Sequence, residues 1–158
     1  MLRITKQTDY GIVLLSHMAT DPDRLFTAPD LAEETRLPLP TVSKVLKLLS
    51  RDGLLDSQRG AKGGYSLSRR PEKIRVSDII RCLEGPIAMT ECIDDGPGVC
   101  DQEGSCPVEG NWQIINDAIR TALDRIDLSQ MATPLPSRLV QLGDHRPGAN
   151  ERSDANTR

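Results

Sequence analysis

The chain has 158 residues, a formal net charge of −3 at pH 7, and 37% hydrophobic, 27% charged and 3% aromatic residues. That length supports one sizeable core with an appendage, and the balance is that of a soluble globular protein with some disordered length. No apolar run approaches the roughly 20 residues a membrane span needs and the N-terminal residues lack a secretion-signal pattern, so the expected compartment is cytoplasmic, with no membrane partner.

Residues Thr5 to Thr20 read as a helix, with Tyr10, Val13, Leu14 and Met18 on one face, widened by Ile12, Leu15 and Ala19. Asp21-Pro22-Asp23 ends it. A second helix has a marked start: Thr27 can cap, Asp30 three positions on forms a capping box, Pro29 sits in the first turn, and Phe26 can staple onto Leu31. A third helix runs from about Pro40 to Arg51 with Val42, Val45, Leu46 and Leu49 at i, i+3, i+4 and i+7, and Gly53 supplies its stop. Two short strands, Leu54 to Gln58 and Gly64 to Ser68, flank the basic glycine-rich tip Arg59-Gly60-Ala61-Lys62-Gly63. Val76 to Leu83 is a short helix closed by Gly85-Pro86. The stretch from Glu91 to Pro107 has no periodicity, and a loop that long in a compact domain needs an external source of order such as a metal. Trp112, Ile115, Ile119, Leu123 and Ile126 then form a single apolar seam on one long helix, suited to pairing with a partner helix. From Thr133 onward the composition predicts a disordered tail.

The expected fold is therefore mainly α with a small β-hairpin, a winged helix-turn-helix plus a long dimerisation helix. Its division is 1–85 for DNA binding, 86–107 for a cysteine loop, 108–131 for the dimerisation helix and 132–158 for the tail.

Charge follows this division. From Leu39 to Arg75 nine basic residues face three acids, whereas from Glu91 to Glu109 there are six acids and no base. A basic module followed by an acidic one predicts different partners for different surfaces, the first of them double-stranded DNA. In a helix-turn-helix the third helix enters the major groove. Here its polar face offers Thr41, Ser43 and Lys44 to base edges, with Lys47 and Arg51 suited to phosphates. Arg59 at the hairpin tip suits the minor groove, with Lys62 beside it.

Cysteines in a reducing compartment favour metal or redox roles over structural disulfides. Cys92, Cys100 and Cys106 are spaced C-x7-C-x5-C in the acidic loop, without the close C-x2-C pairs typical of zinc modules. Thiolates are soft ligands that suit an iron–sulfur cluster. Three cysteines leave one coordination position, for which Asp9, Glu109, Glu103 and Asn111 qualify by type. Cys82, inside an apolar helix, reads as a small core residue, and His17 as a helix-packing residue. A thiol–disulfide sensor that pairs Cys100 with Cys106 is the rival reading. With no phosphate loop and no paired acid/base constellation, neither an enzyme nor a small-molecule substrate is expected.

Leu2-Arg3-Ile4-Thr5 with Thr8-Asp9-Tyr10-Gly11, the Pro40-Thr41-Val42-Ser43-Lys44 helix and Arg59-Gly60-Ala61-Lys62-Gly63-Gly64-Tyr65 resemble the Rrf2 family of winged-helix repressors. Val76-Ser77-Asp78-Ile79-Ile80, the three-cysteine loop and the long helix extend the likeness over about residues 1–131. Leu83-Glu84-Gly85-Pro86, Thr90-Glu91-Cys92 and Asn111-Trp112 look most like the subgroup that regulates SUF iron–sulfur assembly genes. The resemblance implies a homodimer whose long helices cross, a palindromic operator, and a 2Fe-2S or 4Fe-4S cluster on Cys92, Cys100 and Cys106. IscR-like members place a histidine three residues after the last cysteine, where this chain has Glu109. NsrR-like members use the aspartate of the Thr-Asp-Tyr-Gly segment from the other subunit, which makes Asp9 the first choice for fourth ligand and Glu109 the second. Nitric-oxide sensing is the alternative signal within this fold.

Overall fold

The computed structural model describes residues 3–60, 62–90 and 106–132. In chain order the elements are α1 (Lys6–Met18), α2 (Ala28–Thr35), α3 (Leu39–Arg51), β1 (Leu55–Gln58), β2 (Gly64–Leu67), a 3-10 turn at Pro71–Lys73, α4 (Val76–Glu84), α5 (Glu109–Asp124) and α6 (Leu128–Ala132).

Local chemistry sets these boundaries. The Thr5 hydroxyl accepts from the Thr8 N–H at 3.3 Å and opens α1. At α2 the capping box is complete: Asp30 N–H donates to Thr27 Oγ1 at 3.3 Å and Thr27 N–H donates to the Asp30 carboxylate at 3.2 Å. Arg36 in the left-handed region (φ 57°) ends α2, and the Pro38 cap opens α3 after a short turn. Gly53 (φ 75°) then turns the chain out of α3 into the hairpin.

The hairpin pairs Leu55 with Leu67, Asp56 with Ser66, Ser57 with Tyr65 and Gln58 with Gly64. It is also stitched to the entry of α2, because Phe26 and Tyr65 exchange backbone hydrogen bonds of 2.9 and 2.7 Å. Gly64 permits that closeness, since a Cβ there would lie 2.6 Å from the Phe26 carbonyl oxygen.

One aliphatic core joins these pieces. Leu14, Leu15 and Met18 of α1 meet Leu31, then Val42, Val45, Leu46 and Leu49 of α3, with Leu54, Leu55, Ile74 and Ile79 closing the sides. Phe26, 1% exposed, is the one aromatic in it. Gly11 lets α4 approach α1, with its missing Cβ position 2.4 Å from Leu83 Cδ1.

The seam predicted one helix continuing to residue 131, and the structure departs from this. The helix stops at Asp124, and a second, reciprocal cap starts α6: Gln130 N–H donates to the Asp127 carboxylate at 3.1 Å while Asp127 N–H donates to the Gln130 amide oxygen at 3.0 Å. The intervening chain is bonded to the start of α4 by Val76 N–H to Ile126 O (3.0 Å) and Leu128 N–H to Ile74 O (2.9 Å), which leaves Leu128 wholly buried in the core.

Candidate nucleic-acid interface and cysteine site

The exposed side of α3 follows from its core side. With Val42, Val45, Leu46 and Leu49 buried, the residues half a turn away are Pro40, Lys44, Lys47 and Arg51, all exposed, and Thr41 and Ser43 flank them half-buried. Arg51 is held by Asp52 at 3.0 Å. Among the described residues no ion pair engages Lys44, Lys47, Arg59 or Lys62, so these four cations are available to an external anion. Other bases of the same stretch are committed within the fold: Arg69 pairs with Asp78 at 3.5 Å and Arg75 with Asp127 at 3.4 Å. Among the described residues the unpaired bases of 39–75 thus lie on α3 and the hairpin tip, with Arg70 and Lys73 exposed beyond the second strand.

Between these two lies a cleft of about 460 Å³ lined by Lys47, Arg59 and the hairpin backbone, and by Thr27 and Ala28 at the start of α2. Ser57 and Gln58 also line it. Sequence reasoning missed Thr27, Ser57 and Gln58 as members of this surface. The usable signal was the α2 cap, because a helix N-terminus beside a basic helix makes a natural anion seat. Gly63 sits in the tip where a Cβ would be 2.3 Å from the Gln58 carbonyl oxygen, so the turn closes tightly enough to present Arg59 and Lys62.

Of the cysteines, Cys92 and Cys100 lie outside the described residues, as do Glu103 and the tail from 133 onward. Cys106 is half-buried with a free thiol, just before Val108 caps α5. Glu109 is the first residue of α5. Asp9 is exposed in the first turn of α1, in a groove lined also by His17 of α1, Glu34 of α2 and Met131 of α6. Among the described residues no three His, Cys, Asp or Glu side chains converge on one point. Cys82 packs against the core with its thiol 3.7 Å from the Leu48 carbonyl oxygen, and burial, with Asp52 beside it, pushes that thiol up to about 12. It is accordingly a poor nucleophile or ligand at neutral pH. His17 packs edge-on against Phe26 and bonds Glu34 at 2.5 Å, with Arg24 on the other Glu34 oxygen at 2.7 Å.

On α5 the apolar seam divides. Ile119 and Leu123 are half-buried and line a cleft with Ile80 and Met89, while Ile115 (42% exposed) and Ile126 (39%) remain open, as does Val108 (44%) just before the helix. Among the described residues Ile114, off the seam, is the most exposed large apolar one at 70%. Among the described residues no helix is long and apolar enough to cross a membrane.

A capped helix-turn-helix, a basic exposed stripe on its second helix and a basic wing define a winged-helix DNA-binding transcriptional regulator. The chain belongs to the Rrf2 family, whose model, described as an iron-dependent transcriptional regulator, matches residues 4–134. It is 32% identical over 123 residues to protein aau3 of Rhizobium meliloti, covering 78% of this chain and 75% of that one. Among solved structures it is similar to CymR (YrzC), the global cysteine regulator of B. subtilis, at 32% identity and a TM-score of 0.67, over 84% of this chain and 97% of that one. It is likewise similar to IscR of T. potens, at 29% identity and a TM-score of 0.61, over 82% and 85%. Membership of this family makes the chain a regulator and not an enzyme.

Proposed function

We propose that this regulator senses an iron–sulfur cluster and represses SUF iron–sulfur assembly genes, binding a palindromic operator as a homodimer. The observation that carries the reading is the continuity of the chain: the third cysteine of the loop, Cys106, runs directly into α5, which packs on α4 behind the reading head. In this reading Lys44, Thr41 and Ser43 address base edges in the major groove, Lys47 and Arg51 the phosphates, and Arg59 with Lys62 the neighbouring minor groove. The open apolar face of α5 around Ile115 pairs with the same face of a second copy. Cys92, Cys100 and Cys106 form a thiolate donor set of the kind that holds iron, with Asp9 of the other subunit first and Glu109 second as fourth ligand. Iron dependence in the family description supports this donor assignment. Bound there, a cluster supplies a local charge that changes on oxidation or loss. Asp9 then couples that change to α1, the helix on which α3 packs.

Anaerobic purification with visible absorption, iron and acid-labile sulfide analysis tests the reading. Coloured protein with iron and sulfide in equal amounts, lost in Cys106→Ser, is the expected result. Colourless protein with stoichiometric zinc sinks it. The similarity to CymR, by its title a cysteine regulator, favours a second reading in which thiol–disulfide exchange between Cys100 and Cys106 is the signal. Metal-free protein whose DNA affinity switches with peroxide would select it.

A further inference from the structure

Between α4 and α5 lies a polar cavity of about 260 Å³ that neither DNA contact nor cysteine chemistry uses. Asn116, Arg120 and Asp124 recur every fourth residue along α5 and so share one face, turned toward Ser77, Asp78 and Arg81 of α4. Asn116 is 1% exposed, and its amide oxygen has no hydrogen-bond partner among the described residues. A buried acceptor left unmatched is costly, and such groups usually have a partner.

The remaining groups show what that partner must carry. Asp78 is already engaged, by Arg81 at 2.9 Å, Arg69 at 3.5 Å and the Arg75 N–H at 3.2 Å. Ser77 donates to one oxygen of Asp124, which lines the same cavity as Asn116. Arg120 forms no ion pair among the described residues. Arg120 therefore offers a guanidinium for an anion and, one helical turn away, Asn116 an acceptor for a cationic donor, with Pro86 and Ile87 as an apolar wall.

We infer that this cavity is a binding site for a small zwitterion of the α-amino acid class. Its ammonium donates to Asn116, its carboxylate pairs with Arg120, and a short side chain lies against Pro86 and Ile87. The site stands apart from the proposed cluster and operator, and its test needs neither.

The test is thermal unfolding of the full chain with each of the twenty common L-amino acids in turn, and with acetate plus methylamine as a split control. A short-chain amino acid should raise Tm saturably, by about 5 °C at a hundredfold excess over its Kd, while the split control does not. Arg120→Gln, an exposed change that leaves the core intact, should weaken that amino acid at least tenfold. Asn116→Leu should raise Tm without ligand, by removing the unmatched acceptor, and abolish the ligand's effect. If no amino acid exceeds the split control, or if binding is unchanged in Arg120→Gln, the site is not what we infer.

Discussion

Lys44 and Lys47 lie one turn apart on α3, and on the proposed reading surface they meet different parts of the duplex. Lys44→Ala should cost about 1–3 kcal/mol at the base pair it reads and relax preference there. Lys47→Ala should weaken all sequences alike and lower the slope of log K against log salt by about one. Binding isotherms on specific and scrambled operators at several salt concentrations separate the two, and equal losses for both variants would argue against the groove assignment. At the start of α2, Thr27→Ala removes an N-cap and should destabilise the fold by about 1 kcal/mol. The hydrogen bonds from Thr27 also hold the Asp30 carboxyl below its ordinary value of 3.8. A carboxyl lowered by folding stabilises fully above its unfolded value, and that stabilisation is lost as pH falls through the folded one. Denaturation followed from pH 6 to pH 2 should thus show a loss of stability below about 3.8 that is shallower in Thr27→Ala.

At the scale of elements, the wing is tied to the entry of α2 by one bridge, beside the burial of Leu55 in the core. Gly64→Ala drives a methyl group against the Phe26 carbonyl oxygen, which is backbone and cannot turn aside. Overpacking of this kind should cost about 1–3 kcal/mol, and in chemical denaturation the loss should appear in Gly64→Ala but not in Gly110→Ala, whose position in α5 is open and helical. Much of this level was legible in the sequence. The i, i+3, i+4, i+7 pattern of Val42 to Leu49, the Thr27–Asp30 box and the glycines of the tip each act locally, so spacing alone reveals them. The Phe26–Tyr65 bridge was not legible, because one pair of residues has no period and its partners are 39 positions apart. Asp127 and Gln130 did carry a cap signal, but Ile126 continues the seam and masked it. The basic surface was legible as composition only. Which arginines are spent on Asp78 and Asp127 depends on the fold that brings them together.

For the whole molecule, the informative contact is the return of the chain after α5. Leu128 is fully buried among residues of the reading head. Leu128→Ala should cost about 2–5 kcal/mol and lower the midpoint of a single unfolding transition, although the residue lies beyond the long helix. Stability unchanged in that variant, by calorimetry, would show the return to be dispensable. Ile115→Asp places a charge on the open face of α5, where it should leave the fold intact and convert the proposed homodimer to monomer in sedimentation. The polar cavity between α4 and α5 was invisible in the sequence, since Asn116 reads there as one more polar residue beside an apolar seam.

The hydrogen bonds from Val76 to Ile126 and from Leu128 to Ile74 mean that the chain leaves the reading head after α4 and re-enters it beside the start of the same helix. Everything in between is topologically an insert with both ends anchored to one scaffold. Such an arrangement makes the inserted stretch exchangeable. Replacing residues 87–125 with a flexible linker of about ten glycines and serines, long enough to span α4, should leave a folded, soluble head. A foreign ligand-binding module spliced at the same two junctions would inherit the same mechanical connection to α4.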